Sequence, residues 1–384
     1  MKYEFPYIDH IDQVLEVTKD LDHFICAEKE GGYTIINYVV SDQTTFPPIE
    51  TIADAIRREA RGIVFDTASG TPISRRYHKF FNVNEKPETD LALIDLDEPH
   101  VLLDKLDGSM VTPLPLKDGM RWGTKMGITD TSKQAETFVA SRKNYQRFAQ
   151  ECADVNITPI FEWTSNQNRI VLDYKQDNLV LTAIRENFDG RYQPYIDMVE
   201  LAYHSDIPVV QAYQGTVEDA QKLIDKIAES EGIEGIVSRW DTGHMAKWKS
   251  HWYLDLHRAK DALSSERKLV ILILKSELDD LKACLLQEDL DYINDYEVRF
   301  HLRVTEIING LLNDFQLYKS QGIDRKEFAI NHMYKHDAVQ KQWLFCMWDG
   351  KDPRKIVLDT ISKYTSRDII FEPIGQFLNL GYRR

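Results

Sequence analysis

The chain has 384 residues, of which 43% are hydrophobic and 28% are charged. These proportions are those of an ordinary folded protein and exclude a disordered or low-complexity chain. The net charge is −15, so bulk charge does not attract nucleic acid, and a polyanion would have to bind in a local basic pocket. Residues 1–254 carry a net charge of −14 and residues 255–384 a net charge of −1.

Membrane insertion and export are both disfavoured. The longest wholly apolar run is Leu269–Leu274, which is far shorter than the roughly 20 residues of a membrane-spanning helix. The first ten residues contain no apolar signal core. The four cysteines lie far apart and form no C-x-x-C pair. We therefore predict a cytoplasmic protein (in the host cell cytoplasm if it is phage-encoded), without a membrane partner, zinc site or disulfide framework.

The first half of the chain mixes helical and strand-like patterns. Helical spacing of apolar residues occurs at Ile8–Leu21 and Ile49–Ala60, on either side of a strand-like run at Tyr33–Val40. Short β-like runs then follow, separated by Asp-Gly turns and interrupted by two helices. The predicted strands are Gly62–Phe65, His100–Leu103, Met110–Leu114, Ile157–Trp163, Ile170–Tyr174, Leu179–Ile184 and Gly235–Arg239, and the two helices are Lys133–Cys152 and Val217–Ser230.

Beyond about Tyr253 the strand signals fade. Helical patterns occur at Leu272–Leu285, Tyr296–Asn313 and Arg354–Tyr364. We place a domain boundary between residues 250 and 260. The predicted fold class is therefore α+β, with an α+β domain over residues 1–254 and an all-helical domain over residues 255–384.

A lysine at the end of a predicted strand is the first candidate catalytic residue. Lys105 ends an apolar run and is followed by the turn residues Asp107 and Gly108. A strand end beside a tight turn can present an amine to a cavity. A lysine amine is a nucleophile only when neutral, and a free lysine has a pKa of about 10.4, so nearby cations or a metal ion are needed. Taken alone, however, K-x-D-G also fits an exposed lysine beside a hairpin turn. Lys117 also precedes an Asp-Gly pair, but without the intervening residue, and we interpret it as part of a hairpin turn.

Acids and lysines recur in a particular order downstream. Glu162 lies near the end of one apolar strand, and Glu234 precedes another. Lys247 and Lys249 form a K-x-K pair, and alternate residues of a strand project to the same face. Two cations on one face suit a polyphosphate, and a neighbouring carboxylate can hold a divalent metal. No P-loop sequence occurs in the chain.

This series resembles the ordered motifs of the covalent nucleotidyltransferases, which are the DNA ligases, RNA ligases and mRNA capping enzymes. More specifically, the chain resembles the bacteriophage RNA ligase 1 family of tRNA-repair RNA ligases. The resemblance spans roughly residues 30–260 and is weaker over the helical remainder. Further segments that carry it are Arg61–Phe65, Lys79–Asn82, Asn168–Leu172, Ile184–Asn187 and Lys249–Tyr253.

The resemblance implies a role for each matching residue. Lys105 would be the nucleophile that attacks the α-phosphorus of ATP and carries AMP. Glu162 would bind the ribose, and Glu234 would hold the catalytic metal. Glycine at Gly108 would let the backbone approach the nucleotide closely. The remaining ATP-binding residues would be the cations Arg61, Lys79, Lys125, Lys247 and Lys249, the tyrosines Tyr38 and Tyr253, and either Phe81 or Phe80.

The implied fold is an ATP-grasp-like nucleotidyltransferase domain with antiparallel sheets, followed by a helical domain that selects RNA. The implied activity is the ATP-dependent joining of RNA 5′-phosphate and 3′-hydroxyl ends, with Mg²⁺ or Mn²⁺ as cofactor and nicked tRNA as substrate. Two positions depart from the family pattern. Leu106 stands where a phage member has an acid, and Thr124 opens the Lys125 element in place of a serine.

Two alternatives remain open at this point. A DNA ligase or mRNA guanylyltransferase shares the motifs, but these proteins usually continue into a β-rich OB domain, whereas residues 260–384 look helical. A non-catalytic RNA-binding protein of the same fold would have lost the nucleophile, the metal acid or the phosphate-binding lysines.

Overall fold

The computed structural model describes residues 5–39, 41, 44–167, 172, 174–213, 217–263, 265–278, 282, 285, 287–366 and 368–382. The chain forms two compact units, Met1–Leu254 and Asp255–Arg384. Within the described ranges, no helix has both the length and the apolar character that crossing a membrane requires.

The described residues of the first unit form three sheets. The strands are β1 Phe24–Lys29, β2 Tyr33–Tyr38, β3 Arg61–Asp66, β4 Pro72–Ser74, β5 Phe81–Asn82, β6 His100–Lys105, β7 Ser109–Leu116, β8 Gly119–Gly123, β9 Ile157–Thr164, β10 Asn178–Glu186, β11 Ala212–Tyr213, β12 Gly235–Trp240 and β13 Met245–Lys249. The strand orders are β1-β2-β3-β4 in the first sheet, β10-β9-β7-β8 in the second and β11-β6-β12-β13-β5 in the third, and the pairs of described strands are antiparallel apart from β13 with β5, which is parallel.

Helices cover these sheets in the first unit and make up the described elements of the second. The helices are α1 Ile11–Thr18, α2 Ile52–Glu59, α3 Asp130–Ala140, α4 Lys143–Asp154, α5 Tyr195–His204, α6 Val217–Ala228, α7 His251–Ala262, α8 Glu266–Lys275, α9 Gln287–Ser320, α10 Arg325–Glu327, α11 Ala338–Trp348, α12 Pro353–Tyr364 and α13 Asp368–Leu378. A π-helical turn, Phe328–His332, and a 3₁₀ turn, Met333–Lys335, join α10 to α11. The α+β class and the helical C-terminal region are thus confirmed.

Two predicted helices are wrong in their boundaries. The sequence predicted one helix over Lys133–Cys152, but the structure has two helices there, α3 and α4. The break occurs because Arg142, which precedes α4, has non-helical dihedral angles. The prediction over Leu272–Leu285 is also wrong, because α8 begins at Glu266 and ends at Lys275. It stops there because Ser276 adopts a left-handed conformation, with φ of 59°. Of the predicted strand Ile170–Tyr174, Leu172 and Tyr174 lie outside any strand, and the other three residues lie outside the described residues.

A buried ion network connects α2 to the sheet that contains β10. Glu59, at the end of α2, accepts hydrogen bonds from Arg75 Nε at 3.1 Å and from a terminal nitrogen of Arg185 at 2.7 Å. All three side chains are fully buried. Burial would raise the pKa of Glu59, but the charges of Arg185 and Arg75 outweigh it and lower the pKa to about 2. The carboxylate therefore stays charged and holds β10 against the chain that leads into β3.

Replacing this carboxylate should destabilise the first unit strongly. We expect Glu59→Gln to lower the free energy of unfolding by about 3–5 kcal/mol, because two buried guanidinium groups lose their counter-charge. Denaturant unfolding at pH 7 measures the loss, and Glu151→Gln, in an exposed pair with Arg147, should change stability by no more than about 0.5 kcal/mol.

The same variant has an expected pH dependence. Since the pKa of Glu59 is depressed, wild-type stability from this network is lost as the pH falls from 4.5 towards about 2. The stability difference between wild type and Glu59→Gln should therefore narrow over that interval. A difference that stays constant there would show that the carboxylate charge is not what stabilises the network.

Candidate active site

The turn after β6 is fixed by a buried aspartate. Asp107 is 2% exposed. Its carboxylate accepts hydrogen bonds from the Leu172 backbone amide at 2.6 Å and from the Tyr253 hydroxyl at 2.8 Å. Its own amide donates to the Tyr174 hydroxyl at 3.0 Å. These contacts from distant parts of the chain hold the turn that follows Lys105.

Close approach to β9 also constrains this turn. A Cβ atom on Gly108 would lie 2.4 Å from the carbonyl oxygen of Trp163 and 3.1 Å from Cγ of Glu162. No real Cβ approaches a backbone oxygen at the shorter distance, so this position requires glycine. The K-x-D-G turn therefore packs directly on the strand that carries Glu162.

The pairing of β12 with β6 and β13 brings Lys105 close to a second lysine and to a carboxylate. Gly235 pairs with Lys105 on one side and with Lys249 on the other. Glu234, the residue before Gly235, accepts hydrogen bonds on Oε1 from Lys105 Nζ at 2.7 Å and from Lys249 Nζ at 3.0 Å. The glutamate side chain is 4% exposed and each lysine side chain 21%. One buried carboxylate is thus shared by two partly exposed ammonium groups.

A second group of cations surrounds Tyr38. The Nζ atoms of Lys79 and Lys125 each lie 4.8 Å from the centre of the Tyr38 ring. Burial would raise the pKa of Tyr38, but the charges of Arg61, Lys79 and Lys125 outweigh it and lower the pKa. A Cβ on Gly62 would lie 2.7 Å from the Lys125 backbone, so the loop that carries Lys125 packs directly on β3.

Lys247 lies between these two groups. Its Nζ donates to the carbonyl oxygen of Phe80 at 3.0 Å and lies 4.5 Å from the centre of the Phe80 ring. Burial holds the pKa of Lys247 well below its ordinary value, and the charges of Arg61 and Lys105 act in the same direction. This crowding of like charges is unfavourable unless an anion enters among them.

These side chains line a cavity of about 580 Å³. Strands of the second and third sheets and the start of β3 form its walls. Of the predicted site residues, seven line the cavity, namely Arg61, Lys105, Gly108, Lys125, Glu162, Lys247 and Lys249. Three others contact lining residues: Glu234 bonds Lys105, Tyr38 lies under Lys125, and Tyr253 lies under the Lys249 ammonium at 4.9 Å. Lys79 lies one contact further away, over the Tyr38 ring.

The structure does not bring Phe81 to the cavity. Phe81 is 2% exposed and packs in an apolar cluster with Phe46, whereas Phe80 lines the cavity wall. Of the two phenylalanines that the sequence offered as an ATP-binding residue, only Phe80 therefore lines the cavity, and Phe81 does not. Adjacent residues of an extended segment point to opposite faces, so the two phenylalanines cannot both face the cavity.

Several lining residues were not predicted as site residues from the sequence. They are Tyr77, Asn82, Leu103, Asp104, Leu106, Ser109, Met110, Thr124, Met126, Thr129, Thr131, Thr182, Val210, Val237, Arg239 and Met245. The alternation of β12 from Gly235 could have identified Val237 and Arg239, since residues two apart share a face. The remaining residues come together only through the packing of separate strands.

The Glu162 carboxyl is an uncharged member of the site near neutral pH. Desolvation raises the pKa of Glu162 to about 8 from an ordinary value of 4.5, although the positive charge of Lys105 opposes the shift. Near neutral pH this carboxyl therefore adds little negative charge to the cavity. The clustered basic side chains suit a polyphosphate, in a chain whose net charge is −15.

The donor set for a divalent cation is limited. Within the part of the chain that the structure describes, no three His, Cys, Asp or Glu side chains form a metal cluster. Glu234 is a carboxylate beside Lys105. Mg²⁺ is commonly bound by one or two carboxylates together with substrate phosphates. The single Glu234 carboxylate therefore fits a metal ion that binds together with a nucleotide.

Comparisons with known proteins show the family to which the chain belongs. A family model described as RNA ligase matches residues 59–256, which is just over half of the chain. A model described as the C-terminal domain of T4 RNA ligase 1 matches residues 260–367. The chain belongs to the RNA ligase family.

Relatives include RNA ligase 1 of bacteriophage TS2126, which is 24% identical over 83% of this chain and 79% of the relative. The RNA ligase of Rhodothermus phage RM378 is 24% identical over 69% of this chain and 72% of the relative. An RNA ligase-like protein of Thermovibrio ammonificans is 29% identical over 64% of this chain, and the match spans 66% of its length. A solved archaeal ATP-dependent RNA ligase is 17% identical, with a TM-score of 0.48 over 65% of this chain and 64% of that chain.

Removing the Tyr253 hydroxyl should weaken the turn that presents Lys105. We expect Tyr253→Phe to lower the free energy of unfolding by about 1–3 kcal/mol, because the buried Asp107 carboxylate loses a hydrogen-bond donor. Tyr203→Phe, at an 81% exposed tyrosine, is the matched control and should be neutral. Equal stability of the two variants in denaturant would contradict this account of the turn.

The raised pKa of Glu162 predicts a second pH effect. The folded protein keeps a proton that the unfolded chain releases near pH 4.5, so wild-type stability should fall, relative to Glu162→Gln, as the pH rises from 4.5 to about 8. Thermal unfolding of both proteins across that range measures the difference. A difference that does not change with pH would show that Glu162 is already ionised in the folded state.

Proposed function

We propose that the protein is an ATP-dependent RNA ligase that joins 5′-phosphate and 3′-hydroxyl ends through a lysyl-AMP and an RNA-adenylate. The observation that carries the proposal is the position of Lys105. Its amine lines a cation-rich cavity and shares the Glu234 carboxylate with Lys249. Membership of the RNA ligase family supports the same assignment.

In the proposed first step, the neutral Lys105 amine attacks the α-phosphorus of ATP. A phosphorus–nitrogen bond forms, the bond to pyrophosphate breaks, and the amine loses a proton. Glu234 Oε1, at 2.7 Å from Nζ, is placed to receive or relay that proton. Arg61, Lys125 and Lys247 stabilise the charge that develops on the phosphate oxygens and on pyrophosphate, because fixed cations in a partly enclosed site need little reorganisation.

Glu234 would hold a divalent cation together with the phosphates, and the bound cation would supply further charge neutralisation. In the proposed second step, an oxygen of the RNA 5′-phosphate displaces Lys105 and forms a pyrophosphate link to AMP. In the third step, the RNA 3′-hydroxyl attacks the 5′-phosphorus, and AMP leaves. The covalent lysine intermediate divides one difficult condensation into easier displacements.

We assign adenylation to residues 1–254 and the choice of RNA, with nicked tRNA as the proposed substrate, to residues 255–384. The match of residues 260–367 to the T4 RNA ligase 1 C-terminal domain supports a family-specific role for this unit. A cytoplasmic site of action remains a prediction from the sparse cysteines. DNA ligase and guanylyltransferase activities are the alternatives that the test below separates.

The test follows label from nucleotide to protein and then to a sealed strand. With Mg²⁺, wild type should retain label from [α-³²P]ATP and not from [α-³²P]GTP, and should seal RNA ends in preference to DNA ends. Lys105→Ala should retain no label and seal nothing, because the variant lacks the proposed nucleophile. Lys117→Ala removes the lysine that precedes the Asp118-Gly119 turn and should behave as wild type.

Three results would contradict the proposal. Label retained from GTP would identify a guanylyltransferase, and sealing by Lys105→Ala that matches wild type would exclude Lys105 as the nucleophile. A folded wild-type protein that retains no label from either nucleotide would identify a non-catalytic member of the family.

A further inference from the structure

Arg239 is a buried cation in the cavity whose terminal nitrogens have no hydrogen-bond acceptor within the described part of the chain. The side chain is 5% exposed and lines the cavity. The centre of the Tyr192 ring lies 6.0 Å from the guanidinium carbon. A guanidinium group buried in this way is unfavourable unless a ligand accepts its hydrogen bonds.

The register of the third sheet places Arg239 away from the phosphate-binding cations. Gly235 lies level with Lys105 and Lys249, whereas Arg239 lies level with Val101 and Met245. Four residues of strand separate Gly235 from Arg239, which is about 13 Å. This span is comparable with that of an extended nucleoside monophosphate whose phosphate lies at Lys105.

The walls around Arg239 differ from those around Lys105. The cavity that Arg239 lines is also lined by the apolar side chains Val210, Val237 and Met245 and by Tyr77. Of these, Met245 is the strand partner of Arg239. A mainly apolar wall with one polar group is what a planar heterocycle requires. A phosphate group would instead favour clustered cations such as those around Tyr38. The guanidinium group donates hydrogen bonds and accepts none, so its partner must be an acceptor.

We propose that Arg239 reads the nucleobase by donating a hydrogen bond to an unprotonated ring nitrogen, and so determines nucleotide specificity. The inference rests on the proposed function, which places the phosphate end of the nucleotide at Lys105. Arg239 acts on binding of the base, while Lys105 and Glu234 act on the transferred phosphorus. Nucleotide affinity and covalent transfer are therefore separable measurements.

The experiment combines a side-chain change with single-atom changes in the base. Wild type and Arg239→Met are each given ATP and three analogues in which N1, N3 or N7 is replaced by C–H. The half-saturating nucleotide concentration for label transfer and the nucleotide-induced shift in melting temperature are measured. We expect one analogue to bind wild type about 10- to 100-fold more weakly than ATP, as for loss of a hydrogen bond to a charged group.

Arg239→Met should bind ATP as weakly as wild type binds that analogue, and should no longer distinguish the two. Without nucleotide, Arg239→Met should be at least as stable as wild type, because an apolar side chain of similar length replaces an unpaired buried charge. A purely structural arginine would give the opposite stability change. Arg147→Met, at an exposed arginine on α4, is the matched control and should keep wild-type discrimination.

Discrimination among the analogues that survives in Arg239→Met would overturn the inference, as would equal binding of all four nucleotides by wild type. If Arg239→Met weakened all four equally and also abolished stabilisation by pyrophosphate, Arg239 would bind phosphate and the base assignment would be wrong. Each of these results leaves label transfer intact. Absence of both label transfer and ATP-induced stabilisation in wild type would instead refute the proposed function itself.

Discussion

The candidate site depends on one buried carboxylate that two lysines share. Glu234 cannot reach Lys105 and Lys249 together unless β6, β12 and β13 pair in this register, with Gly235 between the two lysines. A Cβ on Gly235 would lie 1.9 Å from the carbonyl oxygen of Trp248, so no larger residue fits at that point. The carboxylate offsets part of the repulsion among the cations, and the remaining positive charge makes the cavity a site for a polyanion.

The same interaction gives the site its chemical asymmetry. Lys105 and Lys249 are both bonded to Glu234, but Lys105 ends its strand at a turn that Asp107 fixes through Tyr253 and Leu172. Lys247 is held by a backbone carbonyl, and Lys125 lies over an aromatic ring. The lysines of this cavity therefore have different partners and different constraints, although the sequence presents them as similar cations.

Much of the site could be predicted because strand periodicity is simple. The pair Lys247 and Lys249 lines one face of β13, as alternation requires, and Lys105 follows its apolar run into the cavity. Period-two reasoning does not fix which of two adjacent residues faces inward, and so the sequence left Phe81 and Phe80 open, whereas Phe80 is the one that lines the wall. The break between α3 and α4 was missed because Ser141 and Arg142 carry no glycine or proline signal, and the helical spacing continues through them. Arg239 was missed because its significance lies in the lack of a described partner, which depends on every neighbouring strand.

The central claim is that Lys105, and no other lysine of this cavity, becomes covalently linked to AMP. Peptide mapping by mass spectrometry after incubation of the full-length protein with ATP and Mg²⁺ tests it most directly, because each cavity lysine falls in a distinguishable peptide. We predict AMP on the peptide that contains Lys105, and its removal by pyrophosphate. AMP on the peptide of Lys125, Lys247 or Lys249, or on none, would contradict the account.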